Sequence, residues 1–166
     1  MKKILFIINP ISGIGKQRSV EKLAGTIIDS KSNSIHFAYT AAPKHATEIA
    51  RNASTNYDIA VAVGGDGTIN EVAQGLINSH CLMAIIPAGS GNGFARTIGI
   101  PMNIKKALKT LNDAKPVNVD LIRCNDSYFI NVAGTGFDAE IGHLFSEQKT
   151  RGFFTYIRLT LRKFFT

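Results

Sequence analysis

Val63-Gly64-Gly65-Asp66-Gly67-Thr68-Ile69-Asn70-Glu71 is the stretch that decides the fold: a buried strand breaks into glycines, and the glycines lead into a helix. Ile59–Val63 is a short apolar run rich in strand formers, while Ile69, Val72, Ala73, Leu76 and Ile77 repeat at a helical period. Gly64, Gly65 and Gly67 can take positive φ and let a ligand approach the backbone, and the helix behind them offers unpaired N–H groups at the positive end of its dipole. This is the local geometry of a phosphate site. Asp66 stands in its middle, and a carboxylate there repels phosphate unless a metal, a ribose hydroxyl or a transferable proton intervenes. The alternative is an ordinary β–α turn in which Asp66 caps the helix and Gly67 and Thr68 are turn residues.

The same alternation of strand and helix extends to either side. Strands are expected at Lys3–Asn9, Ser34–Thr40, Asp58–Val63 and Leu82–Ile86, with helices at Gln17–Ser30, Lys44–Ala53 and near Ile104–Leu111. Such alternation predicts an α/β fold, an open, mostly parallel sheet flanked by helices. Three glycine- or serine-bearing turns follow three of these strands: Asn9-Pro10-Ile11-Ser12-Gly13-Ile14-Gly15-Lys16, the opening motif, and Pro87–Gly93. In a parallel sheet they emerge on one edge, which would bring Ser12, Asp66, Thr68, Ser90 and Asn92 into one polar site. Further along, Pro116–Arg123 and Tyr128–Val132 read as an antiparallel hairpin around Asn125-Asp126 that joins the sheet, and a helix carrying Ile141 and Leu144 opens after Asp138. The domain is expected to run over residues 1–150, with an apolar basic segment at 151–166.

Composition limits the partners. The 166 residues, 45% hydrophobic and 19% charged, suit one globular domain. The apolar start Ile4–Ile8 ends at Asn9-Pro10, too early for a signal peptide, and no run approaches the ~20 apolar residues of a membrane span. Two cysteines, Cys81 and Cys124, form neither a disulfide framework nor a metal cluster, so a cytoplasmic setting is expected. A net charge of +7 points to an anionic partner: nucleotide, nucleic acid or membrane surface. No helix-turn-helix, zinc or aromatic RNA-binding signature supports nucleic acid. Lys149, Arg151, Arg158, Arg162 and Lys163 share the tail with Phe153, Phe154, Ile157, Leu161 and Phe164. That segment reads as a helix packing on a further domain or, alternatively, as an interfacial helix that draws the protein peripherally to anionic lipid.

On these loops the chain resembles the diacylglycerol kinase catalytic-domain family, which includes bacterial lipid kinases and the sphingosine and ceramide kinases. The likeness is carried by Asn9-Pro10 with Ser12-Gly13, by Thr40 with His45-Ala46 and Glu48, and by Gly64-Gly65-Asp66-Gly67-Thr68 with Asn70-Glu71. It continues through Pro87-Ala88-Gly89-Ser90-Gly91-Asn92 into Phe94-Ala95-Arg96, then Val119-Asp120 and Gly136-Phe137-Asp138. The glycine-aspartate turn by itself is shared with NAD kinases and phosphofructokinases, whose N-terminal domains have the expected sheet. The resemblance implies an ATP site lined by Asn9, Pro10, Ser12, Gly13, Thr40, Gly64, Gly65, Asp66, Gly67, Thr68, Asn70, Glu71, Gly89, Ser90 and Asn92. It implies catalytic roles for Asp66 and Asp120, acting on Mg²⁺ directly or through water, and a lipid-headgroup contact at Asp138. Asp120 and Asp138 equally read as a strand end and a helix cap. Where many diacylglycerol kinases have Asn-Asp, this chain has Asn92-Gly93, closer to the loop of sphingosine kinases.

The expected function is therefore ATP-dependent transfer of a γ-phosphoryl group to a lipid hydroxyl, on a diacylglycerol or sphingoid-like substrate. The resemblance also implies a following β-rich domain that completes the lipid cleft, so this chain alone is expected to bind nucleotide and be nearly inactive. No Gly-x-x-x-x-Gly-Lys-Ser/Thr loop is present, so the phosphate cradle is of another kind. The alternatives are an NAD kinase-like enzyme and a non-catalytic nucleotide-binding module.

Overall fold

The apolar runs of the first and third strands bury both their faces, and this places the core. The computed structural model describes residues 1–12, 15–113, 115–132, 134, 136–146 and 153–164. Strand β1 (Lys2–Ile8) lies between β2 (Asn33–Tyr39) and β3 (Ile59–Gly64), and β4 (Leu82–Pro87) extends the sheet beyond β3. All three pairings are parallel, in the order β2-β1-β3-β4. Successive side chains of a strand point to opposite faces. Leu5, Ile7, Ala60 and Ala62 meet α2 (His45–Ala53) and α3 (Asp66–Gly75) through Ala46, Ala50, Ile69 and Val72. On the opposite face Ile4, Phe6, Ile8, Val61 and Val63 meet α1 (Val20–Ile27) and α5 (Ile104–Asp113) through Val20, Ala24, Ala107 and Leu108. Parallel strands covered in this way need no polar face, which is why they read as near-continuous apolar runs.

Helices α2 and α3 approach each other closely. A β-carbon at Gly75 would stand 2.5 Å from the Thr47 carbonyl oxygen and 2.6 Å from the Ala50 β-carbon, so glycine is what allows the approach. The expected α/β class and the antiparallel hairpin are both present. Three local expectations are corrected. The helix predicted over Gln17–Ser30 is a 3₁₀ turn at Lys16–Ser19 followed by α1, and Ile28 is already extended at ψ 130°. Thr26, Ile27 and Ile28 are all β-branched, which lowers helix propensity and favours the extended exit. A helix nobody would infer from periodicity, α4 (Gly93–Thr97), follows the third glycine loop. The hairpin, β5 (Ile122–Cys124) and β6 (Ser127–Phe129), forms a two-stranded sheet of its own instead of joining the parallel one. Residues 116–121, expected as strand, have no regular secondary structure, and the alternating Val117, Val119 and Leu121 are all exposed.

The chain divides into two compact units, Met1–Ile130 and Asn131–Thr166. The second contains α6 (Phe137–Ser146) and α7 (Phe153–Phe164), which pack on each other, and Lys163 Nζ lies 2.6 Å from Glu140 Oε1. Among the described residues no helix is long and apolar enough to cross a membrane.

Candidate nucleotide site

Strand order places the site before any side chain is considered. The crossover from β1 runs to β2 on one side and that from β3 runs to β4 on the other, so the carboxyl ends of β1 and β3 open a crevice at the switch point. Backbone hydrogen bonds carry the ladder past the strand ends: Asn9 N–H donates to the Val63 carbonyl (3.0 Å), Thr40 N–H to Ile8 (2.9 Å) and Ala88 N–H to Gly64 (2.9 Å). Four loops are thus held at one edge, those after β1, β2, β3 and β4.

The first loop is tied down by its own polar residues. Asn9 Nδ2 donates to Thr68 Oγ1 (3.0 Å), its Oδ1 accepts from Ile11 N–H (3.1 Å), and its carbonyl accepts from Ser12 N–H (3.2 Å). Gln17, only 4% exposed, donates from Nε2 to the Pro10 carbonyl and closes the loop from behind. Asn9, Ser12 and Thr68 therefore act within the protein, and Pro10 is left exposed. Gly13 lies outside the described residues.

The glycines serve close approach, not unusual φ. None of Gly64, Gly65 and Gly67 has positive φ, contrary to the use the sequence suggested for them; among described glycines that conformation is found at Gly15, Gly99 and Gly136. A β-carbon on Gly64 would meet Thr68 Oγ1 at 2.5 Å, and one on Gly89 would meet the Gly65 α-carbon at 2.3 Å. The second and third glycine loops consequently touch backbone to backbone. Gly67 differs from these: it is exposed in the first turn of α3, and a β-carbon there would meet nothing within 4 Å among the described residues.

Asp66 does not cap its own helix, since Gly65 is the capping residue and makes no side-chain bond. Its carboxylate reaches the start of α4, with Oδ2 accepting from Gly93 N–H and Oδ1 from Phe94 N–H, both at 3.1 Å. Asn92, at φ 54°, exchanges both amide bonds with Gly89 (2.9 Å each) and so braces the third loop. Glu71 turns the other way: its Oε2 accepts from Ala46 N–H (3.2 Å), and its carbonyl accepts from Thr47 Oγ1 (3.0 Å). His45 is half-buried at the start of α2, and its Nδ1 accepts from Ala41 N–H (2.9 Å), which holds the loop after Thr40. The N–H groups of Gly93 and Phe94 and the side chains of His45 and Gln17 are parts of the site that residue pattern did not reveal. Only the proximity of His45-Ala46 to Thr40 hinted at them.

The N–H groups of Asp66, Gly67 and Thr68 at the start of α3 have no acceptor among the described residues. Asn70 Oδ1 is buried without a donor among the described residues, which a native structure rarely leaves unexplained. Ser90 is exposed and Thr40 half-buried. Asp120 is exposed in the irregular stretch before β5, and Asp138 lies in α6 with its side chain outside what the structure describes. No group of three His, Cys, Asp or Glu side chains able to hold a metal exists among the described residues. Those residues do not by themselves make an ion site, although each Asp66 oxygen keeps a second lone pair.

Comparison with known proteins agrees with this architecture. A diacylglycerol kinase of Bacillus subtilis is 37% identical over 142 residues, covering 82% of this chain and 46% of the relative. One of Staphylococcus saprophyticus is 34% identical over 140 residues, covering 81% and 45%. The crystal structure of a diacylglycerol kinase from Bacillus anthracis superposes with a TM-score of 0.68 at 27% identity, over 87% of this chain and 53% of that one. The chain therefore spans about half the length of the curated relatives it matches. The sequence pattern described as the diacylglycerol kinase catalytic domain matches residues 3–124, the stretch that builds the sheet, all four loops and β5, and on that match the chain belongs to the family so described.

Proposed function

We propose that this chain is the nucleotide-holding part of an ATP-dependent lipid kinase. The observation that carries the reading is Gly67. Glycine in a helix is destabilising by about 0.5–1 kcal/mol relative to alanine; at Gly64 and Gly89 a β-carbon would strike a neighbour, and at Gly65 and Gly91 it would stand in tight contact, at 3.2 and 3.3 Å. Gly67 has no such neighbour among the described residues and no positive φ, so we infer that its missing side chain answers to a ligand approaching the first turn of α3.

Phosphate oxygens placed there would accept the free N–H groups of Gly67 and Thr68 in the field of the α3 dipole. Asn70 Oδ1 would take a donor from the nucleotide, and Thr40 and Ser90 would contribute neutral hydrogen bonds. In the reaction the bond between the γ-phosphorus and its bridging oxygen breaks as a lipid hydroxyl oxygen bonds to phosphorus, and the hydroxyl proton leaves to a base. Such transfers depend mainly on position and charge neutralisation. Mg²⁺ would supply neutralisation when bound, with Asp66 and Asp120 as candidate holders. The lipid and the base are proposed to meet the nucleotide through a further part of the kinase, a reading supported by the relatives' greater length.

Gly67→Ala decides the matter. The substitution is expected to raise the melting temperature, because alanine is the better helix former, while weakening ATP binding about tenfold or more. ATP affinity unchanged in the stabilised variant would remove the basis for a ligand at this turn.

A further inference from the structure

Two helices that flank the glycine turns begin without a cap of their own. The residue before α2 is Lys44 and the one before α4 is Asn92; both are left-handed, at φ 68° and 54°, and neither makes a side-chain capping bond. First-turn N–H groups require acceptors, and a carboxylate placed there also meets the positive end of the dipole. Helix α3 supplies both. Asp66 accepts from Gly93 and Phe94 at the start of α4, and Glu71 accepts from Ala46 at the start of α2. The two acids are five residues apart, about 140° around the helix, so they leave α3 toward different neighbours.

We propose that Asp66 and Glu71 are positioning residues: as caps supplied in trans, they hold the loop carrying Ser90 and the loop carrying Thr40 around the open start of α3. The assignment rests on the nucleotide reading above and gives Asp66 a task that needs no ion. It also explains how a carboxylate is tolerated beside phosphate, since its two oxygens face backbone N–H groups of another helix. The alternative tasks predict a different sign. If Asp66 served only to hold an ion, its removal would leave metal-free ATP binding unchanged, or tighten it by relieving charge repulsion. A clamp predicts that metal-free binding weakens.

The test uses the full 166-residue chain with ATP in EDTA, by calorimetry, alongside amide hydrogen exchange. Asp66→Ala and Glu71→Ala are expected to weaken metal-free ATP binding at least tenfold. Glu71→Gln should recover most of the loss, because one acceptor oxygen serves Ala46. Asp66→Asn should recover part, because its amide accepts from only one of Gly93 and Phe94. Exchange at Gly93 and Phe94 should quicken at least tenfold in Asp66→Ala, and at Ala46 in Glu71→Ala, while Val61 and Val63 in β3 keep their protection and show that release is local. Metal-free ATP binding as tight as wild type or tighter, or exchange unchanged at those three amides, overturns the proposal. Failure of the wild-type chain to bind ATP with or without Mg²⁺ would instead remove the nucleotide reading, and exchange alone would then decide whether the clamp exists.

Discussion

At the scale of single residues, the glycines of this chain divide by what a β-carbon would meet. At Gly89 it would meet the Gly65 α-carbon at 2.3 Å, and at Gly75 the Thr47 carbonyl oxygen at 2.5 Å, both of them backbone atoms unable to rotate away. Alanine at either position is expected to destabilise the fold by about 1–3 kcal/mol, as overpacking does, even though Gly75 lies at a helix end where propensity favours alanine. Denaturant titration of Gly75→Ala and Gly89→Ala beside Gly67→Ala checks this, the first two midpoints falling and the third rising. A drop for Gly67→Ala matching the other two would mean that all three glycines answer to packing alone. Identical letters in the sequence thus carry opposite consequences, and no reading of residue types separates them.

At the scale of elements, two side chains report on the sheet's edges. Tyr39 at the end of β2 donates its hydroxyl to Glu21 Oε1 of α1 at 2.6 Å. That bond, then partial burial and the Glu21 charge, hold the phenol above its ordinary pKa. A raised folded value means that the bond contributes in full below the ordinary tyrosine range near about 10 and is lost as pH rises through the folded value. Glu21→Gln is expected to bring the spectrophotometric titration of Tyr39 down; no movement would show that Glu21 is not its cause. On the opposite side of the sheet Cys81, which leads into β4, is buried, and burial pushes its thiol up, whereas Cys124 in β5 is exposed. Because the thiolate is the nucleophile, iodoacetamide at pH 8 should modify Cys124 at least about tenfold faster, with the Cys81 rate following the opening of the β3–β4 edge. Equal rates, measured on the two peptides by mass spectrometry, would mean that β4 is not held in the folded chain.

At the scale of the molecule, a chain that spans 46% of its Bacillus subtilis relative is expected to bind ATP while turning over diacylglycerol or sphingosine far more slowly than a full-length relative. Equal turnover would refute the division of labour between donor and acceptor sides. The sheet was legible in advance because two-sided burial and glycine turns are written locally, in runs such as Ile59–Val63 and Gly64–Gly67. The identity of the polar loops was legible for the same reason. The partners of Asp66, Glu71 and His45 were not, because each bond joins a side chain to a backbone N–H whose position depends on other elements; the helix α4 was missed with them, since its start is capped from 27 residues away. The separate hairpin was misplaced because alternation at Val117, Val119 and Leu121 signals a strand without saying where its partner is. The contact between Gly65 and Gly89 has a last consequence. With no side chain on either side, a substitution at Gly89 can only force the loops apart, so finer adjustment of their spacing falls to loop length: inserting or deleting one residue between β4 and α4 should move Gly89 relative to Gly65.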